Sequence, residues 1–221
     1  MNKRTFVLLL GLATYLFTGL GNAVNAQSIH KLPHLLSLSN RNLIYSTTSV
    51  WKDSILALCA EVEQEAWESE DWNTAFLAAQ IKVNATCLKG GTGEAIVQAQ
   101  EMYEKAKLLN SSRGRALSLQ AIGDTYMHTG LYALAVETFL SAEAELQNNN
   151  DAFIKLRLVI QQIYAYLKMN EVEKAMEYLD IAERLLPQNL IGKEDFEFYI
   201  QSYRTLGYIP VSYTHLRAHE T

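Results

Sequence analysis

The sequence predicts an all-α chain of antiparallel helix hairpins, and three observations predict it. Apolar residues recur at helical spacing, as in Trp51, Ile55, Leu58, Val62 and Trp67. One set of residues repeats at a fixed offset: Tyr126, Ala135, Phe139 and Ala142 return forty residues later as Tyr166, Ala175, Leu179 and Ala182. With only 3 prolines and 11 glycines in 221 residues, few positions can interrupt a helix. Repetition of a helix pair lets each unit bury a face that it cannot bury alone.

The clearest unit runs from Ala116 to Asn149. Its first helix carries Leu119, Ile122, Gly123 and Tyr126; Gly130 and Tyr132 mark the turn; Ala135, Phe139 and Ala142 mark the second helix. Gly123 and Ala135 are small where two helices cross closely. Tyr126 and Phe139 fill the space between crossings, and Gly130 lets the first helix end. This pattern resembles the tetratricopeptide repeat, whose usual period is about 34 residues.

The resemblance implies a right-handed α-solenoid of antiparallel hairpins. The unit forty residues on has Ile163 where the small residue should stand, and Pro187 where the second helix should stop. A preceding unit is read at an offset of thirty-six, with Ala99, Tyr103 and Ala106 answering Ala135, Phe139 and Ala142, Cys87 at the small position, and Gly90-Gly91-Thr92-Gly93 as its turn. The additional residues are expected at Asn148-Asn149-Asn150-Asp151.

The flanks read differently. Asn2-Lys3-Arg4, the apolar run Phe6 to Leu20, and small residues at Val24 and Ala26 have the layout of a signal peptide over residues 1–26, cut before Gln27. An apolar run of about fifteen residues falls short of the roughly twenty that span a bilayer. Residues 27–47 are read as a poorly structured mature N-terminus, 48–74 as a capping helix or degenerate repeat, and 75–209 as three repeat units plus the start of a fourth. That start is the stripe Phe196, Tyr199, Ile200, Tyr203 and Leu206. Residues 211–221 resemble a translated sequencing adapter, and 210–221 are set aside.

The formal net charge is −5, and setting aside Lys3, Arg4, Arg217 and Glu220 makes it about −7, which disfavours contact with nucleic acid or an anionic membrane. No metal, cofactor or catalytic residue is expected. His215 and His219 lie in the adapter-like tail, and His30 and His34 are separated by Pro33. Gly90-Gly91-Thr92-Gly93 lacks the Gly-Lys-Ser/Thr ending of a phosphate loop. Glu61, Glu63, Glu65, Glu68 and Glu70 read as a solvated helix face. Cys59 and Cys87 sit among apolar neighbours, where a free buried thiol acts as a small hydrophobe.

In proteins that this chain resembles, first helices line a groove that receives a peptide or a partner's helix. Here that face is expected to expose Gln120, Asp124 and Met127 from one unit, and Arg157, Ile160, Tyr164 and Leu167 from the next. Asp124 and Tyr164 stand where a carboxylate-clamping member of the family would want asparagine, so another protein or peptide ligand is implied. The leading expectation is an exported, periplasmic binding or sensory region of a longer bacterial signalling protein, reaching the membrane only through a downstream helix. The alternatives are a stand-alone periplasmic adaptor for envelope assembly, and a regulatory appendage of a catalytic domain encoded further on.

Overall fold

The computed structural model describes residues 49–146 and 151–186. Among them are seven helices and no strand: α1 (Ser49–Glu68), α2 (Trp72–Leu88), α3 (Thr92–Leu108), α4 (Ser112–Thr129), α5 (Tyr132–Glu145), α6 (Ala152–Lys168) and α7 (Val172–Leu185). The signal-like segment, Pro187 and the stripe after Lys193 lie outside the described residues. No described helix is long and apolar enough to cross a membrane.

The regularity is finer than the sequence suggested. Helices α2 to α7 begin at residues 72, 92, 112, 132, 152 and 172, so each helix and its turn occupy the same length of chain. The turns are alike too. The N–H groups of Asp71, Gly91, Ser111, Leu131 and Glu171 donate to the carbonyls of Ala66, Thr86, Ala106, Tyr126 and Tyr166 at 2.9–3.1 Å. Each such bond encloses a left-handed residue: Glu70, Gly90, Asn110, Gly130 and Asn170. This helix-ending bond recovers a carbonyl that the helix cannot satisfy. Glycine reaches that backbone region without strain and asparagine tolerates it, so only Glu70 is an ill-suited occupant.

The even-numbered helices start with a side-chain cap. Asp71, Ser111 and Asp151 accept hydrogen bonds from the N–H groups of Thr74, Gly114 and Ile154 at 3.0–3.1 Å, whereas α3, α5 and α7 start at Gly91, Leu131 and Glu171 without one. Asp151 also pairs with Arg113, which ties the starts of α4 and α6 together in a place with little exposure. Asp151→Ala is therefore expected to cost about 2–3 kcal/mol in urea unfolding, through the lost cap and a guanidinium left without its carboxylate. Asp151→Asn keeps the cap and should recover about 1 kcal/mol of that; equal losses for both variants would show that the cap contributes nothing.

Each helix packs against its successor, and α2, α4 and α6 also pack on one another. The odd-numbered helices bury one stripe in a shared register: Ile55, Cys59, Val62 and Ala66 on α1; Ala95, Ala99, Met102 and Ala106 on α3; Ala135, Phe139, Ala142 and Leu146 on α5; Ala175, Leu179 and Ala182 on α7. Successive members differ by forty in number, so α1 carries the stripe of a second helix. The unit expected from Ala75 has its first helix starting at Trp72.

This register corrects the offset of thirty-six. The left-handed glycines of the turns, Gly90 and Gly130, pair at forty. Ala99 therefore stands in the place of Phe139, and Val83, not Cys87, in the place of Gly123. Tyr103 is only half-buried and spends its hydroxyl on Glu145 at 2.8 Å. The misreading arose because alanines occur on α3 at both spacings. The connection between Glu145 and Ala152 is longer than the two- or three-residue turns elsewhere, in step with the shorter α5, and its residues 147–150 lie outside the described residues.

The register explains the partner sizes. A Cβ on Gly123 would lie 2.3 Å from the ring of Phe139, which is fully buried. One unit on, the pair becomes Ile163 and Leu179; one unit back, it becomes Val83 and Ala99. Where the second helix supplies the ring, the first supplies nothing, as close packing requires. Gly114 makes the same allowance for Phe76, whose ring would meet its Cβ at 2.6 Å.

Candidate functional site

Applying the forty-residue register to the first helices brings a polar row into view. Gln80 and Asn84 on α2 correspond to Gln120 and Asp124 on α4; on α6 the same places hold Ile160 and Tyr164, and Arg157, three residues before Ile160, brings the charge. All but Asn84 are buried. Asn84 Nδ2 donates to Asp124 Oδ2 at 3.3 Å. Both amide atoms of Gln120 lack a hydrogen-bond partner, as do Gln80 Oε1, Asp124 Oδ1 and Asn84 Oδ1, while the Gln80 N–H group turns to the Asp124 carboxylate. Each unpaired group costs about 1–3 kcal/mol when buried, so a glutamine left as Gln120 is has no explanation in packing.

The charge of the row depends on its depth. Burial pushes the Asp124 carboxyl up to about 6, against the downward pull of the Arg157 charge and of hydrogen bonds from Asn84 and Gln80. At neutral pH the carboxylate is ionised beside Arg157. Next along α6, burial also pushes the Tyr164 phenol up.

The sequence reading put the right helices at this face and the wrong exposure on them. Gln120, Asp124, Arg157, Ile160 and Tyr164 are buried rather than open to solvent, and Met127 and Leu167 are half-buried. The cause is packing: α4 is touched by α2, α3, α5 and α6, which leaves little of its perimeter free. Gln80 and Asn84 were missed because the expected groove residues come from the two later units alone, with no residue of the earlier first helix included.

The residues read as structural differ in their exposure. Gly123, Ala135, Phe139, Ala142, Ala175, Leu179 and Ala182 are buried, Gly130 caps α4 in the left-handed region, and Tyr126 is half-buried. Tyr166 is buried and stacks at 5.1 Å on Tyr178. Cys59 and Cys87 are free and buried, and burial raises both thiols, Cys59 to about 12. Among the described residues no group of three or more His, Cys, Asp or Glu side chains is placed to hold a metal ion. Comparison of the chain with protein-family models gives no match, and comparison with curated proteins gives none.

Proposed function

We propose that the chain is a peptide- or protein-binding repeat array resembling the tetratricopeptide family, a right-handed solenoid whose first helices receive an extended segment of a partner. The observation that carries this reading is the pair of buried glutamines, one repeat apart, Gln120 unpaired at both amide atoms and Gln80 at its oxygen. A side-chain amide offers one donor and one acceptor, which is what a peptide group needs in return. Neighbouring helix axes lie about 8–10 Å apart and an extended chain rises about 3.3 Å per residue, so successive amides would meet every third peptide group. Arg157 and Asp124 would set the direction and charge preference of the bound segment. A row this buried admits a ligand only as the face opens, and the affinity carries that opening cost.

The signal-like segment supports placing the array outside the cytoplasm, as the sensory or interaction region of a longer bacterial signalling protein. The test pairs two readouts. Gln120→Leu removes an unpaired buried amide at nearly constant volume and should raise stability by about 1 kcal/mol or more, whereas Gln80→Leu also takes a donor from the Asp124 carboxylate and should gain less. Each should also weaken, at least tenfold, the binding of peptides selected by the wild-type chain from a random display library. Peptides that bind both variants as tightly as wild type would sink the proposal.

A further inference from the structure

A second feature lies away from the polar row, where α1, α2 and α3 enclose an open cleft of about 180 Å³ lined in part by Glu63, Trp67, Phe76, Lys82, Glu101 and Lys105. That volume is below the roughly 300–1,000 Å³ of pockets for drug-sized ligands, so it suits a small group. Its wall is built around Trp67. Phe76 meets the indole edge-on at 5.4 Å, Trp72 tilts against it at 5.2 Å, and the indole Nε1 donates to Glu63 at 3.4 Å. Glu63 also pairs with Lys82. The ring is thus held in place, and over it sits the Lys105 ammonium, its Nζ 3.2 Å from the ring centroid.

The position suits a cation and suits lysine poorly. An aromatic face attracts positive charge but offers no acceptor for three N–H donors, and the neighbouring carboxylate of Glu63 is already engaged by Trp67 and Lys82. The ring face takes water from one side of the Lys105 ammonium, on a side chain that is otherwise exposed, and that desolvation pulls it below the ordinary lysine value. Holding a four-carbon stem in one rotamer costs further entropy. A cation without N–H groups would gain the same attraction and leave nothing unpaired.

We infer that this cleft is a receptor for a small quaternary ammonium cation, with the Trp67 face as its seat and Lys105 as a built-in occupant that the ligand displaces. One unit of positive charge replaces another, so the local balance set by Glu63, Lys82 and Glu101 is unchanged. Lys105 is a surface side chain on α3, free to swing into water.

The experiment titrates the full chain with tetramethylammonium chloride at constant ionic strength, read by tryptophan fluorescence and calorimetry. Lys105→Gln empties the seat and should tighten binding about threefold or more, in keeping with the size of a cation–π contact. Adding Trp67→Leu to Lys105→Gln should weaken binding at least tenfold. Trp67→Phe, which keeps a smaller ring against Phe76, should fall between and guards against a folding defect in the leucine variant. Neopentyl alcohol, a water-soluble uncharged analogue of nearly the same shape that stands in for the neutral isostere neopentane, should bind at least tenfold more weakly than the cation. Absence of binding to Lys105→Gln, indifference to both changes at Trp67, or equal affinity for the neutral isostere would each overturn the assignment.

Discussion

Gly123→Ala is expected to destabilise the chain by about 2 kcal/mol, although alanine is the better helix former by about 1 kcal/mol. The added methyl has no place to go, because it would meet three carbons of the Phe139 ring between 2.3 and 2.9 Å, and that ring is buried on every side. Overpacking of this kind costs about 1–3 kcal/mol beyond any gain in propensity. Gly93→Ala is the matched control. It also lies in a helix, yet its new Cβ meets nothing within 4 Å, so it should stabilise by a few tenths to about 1 kcal/mol.

Phe139→Leu, destabilising alone, should relieve Gly123→Ala when the two are combined, with a coupling of at least about 1 kcal/mol in a double-mutant cycle. Urea unfolding of the four chains measures it. Simple additivity would mean that glycine and ring do not share one space.

Asp124→Asn should change the pH dependence of stability more than any other single substitution in the polar row. The sign follows from the carboxyl being raised from 3.8 to about 6 in the folded chain. Below pH 4 the group is protonated whether folded or not, and folding incurs no penalty from it. As pH rises through 6 the folded protein must hold a buried charge that the unfolded chain hydrates freely. The stability present below pH 4 is then lost, by about 2–3 kcal/mol at full ionisation.

Asparagine removes the charge and can still accept from Asn84. The stability difference between Asp124→Asn and wild type should therefore move by about 2–3 kcal/mol in the variant's favour between pH 4 and pH 7.5. A difference that stays flat across that range would mean that Arg157 fully offsets the burial of the carboxylate.

Much of the helical architecture was legible because it is local. The turns at Gly90 and Gly130 advertise themselves, since glycine is the usual residue at a left-handed helix end, whereas Asn110 and Asn170 give a fainter signal and Glu70 none. The stripe on α5 and α7 could be read directly, because Phe139 and Leu179 are large beside small partners. On α3 alanines occupy the stripe, their spacing is ambiguous, and the thirty-six-residue alignment was as plausible on paper as the forty-residue one. The turn backbone, not the side-chain pattern, settles the register.

The polar row was legible only in part. Gln120 and Asp124 stood on the correct helix, but a helical wheel says which residues share a face and not what that face meets. The sequence by itself determined the helices, their approximate length, and the fitting of a small residue on one helix to a large one on the next, because each depends on neighbours within a turn or a hairpin. Only the tertiary structure decided that α1 joins the second-helix series, that Gln80 and Gln120 are buried, the latter with its amide unpaired, and that Lys105 lies over Trp67. Those outcomes depend on contacts between residues about forty apart, where helix on helix excludes water, and exclusion of water by distant segments leaves no period in the sequence to read.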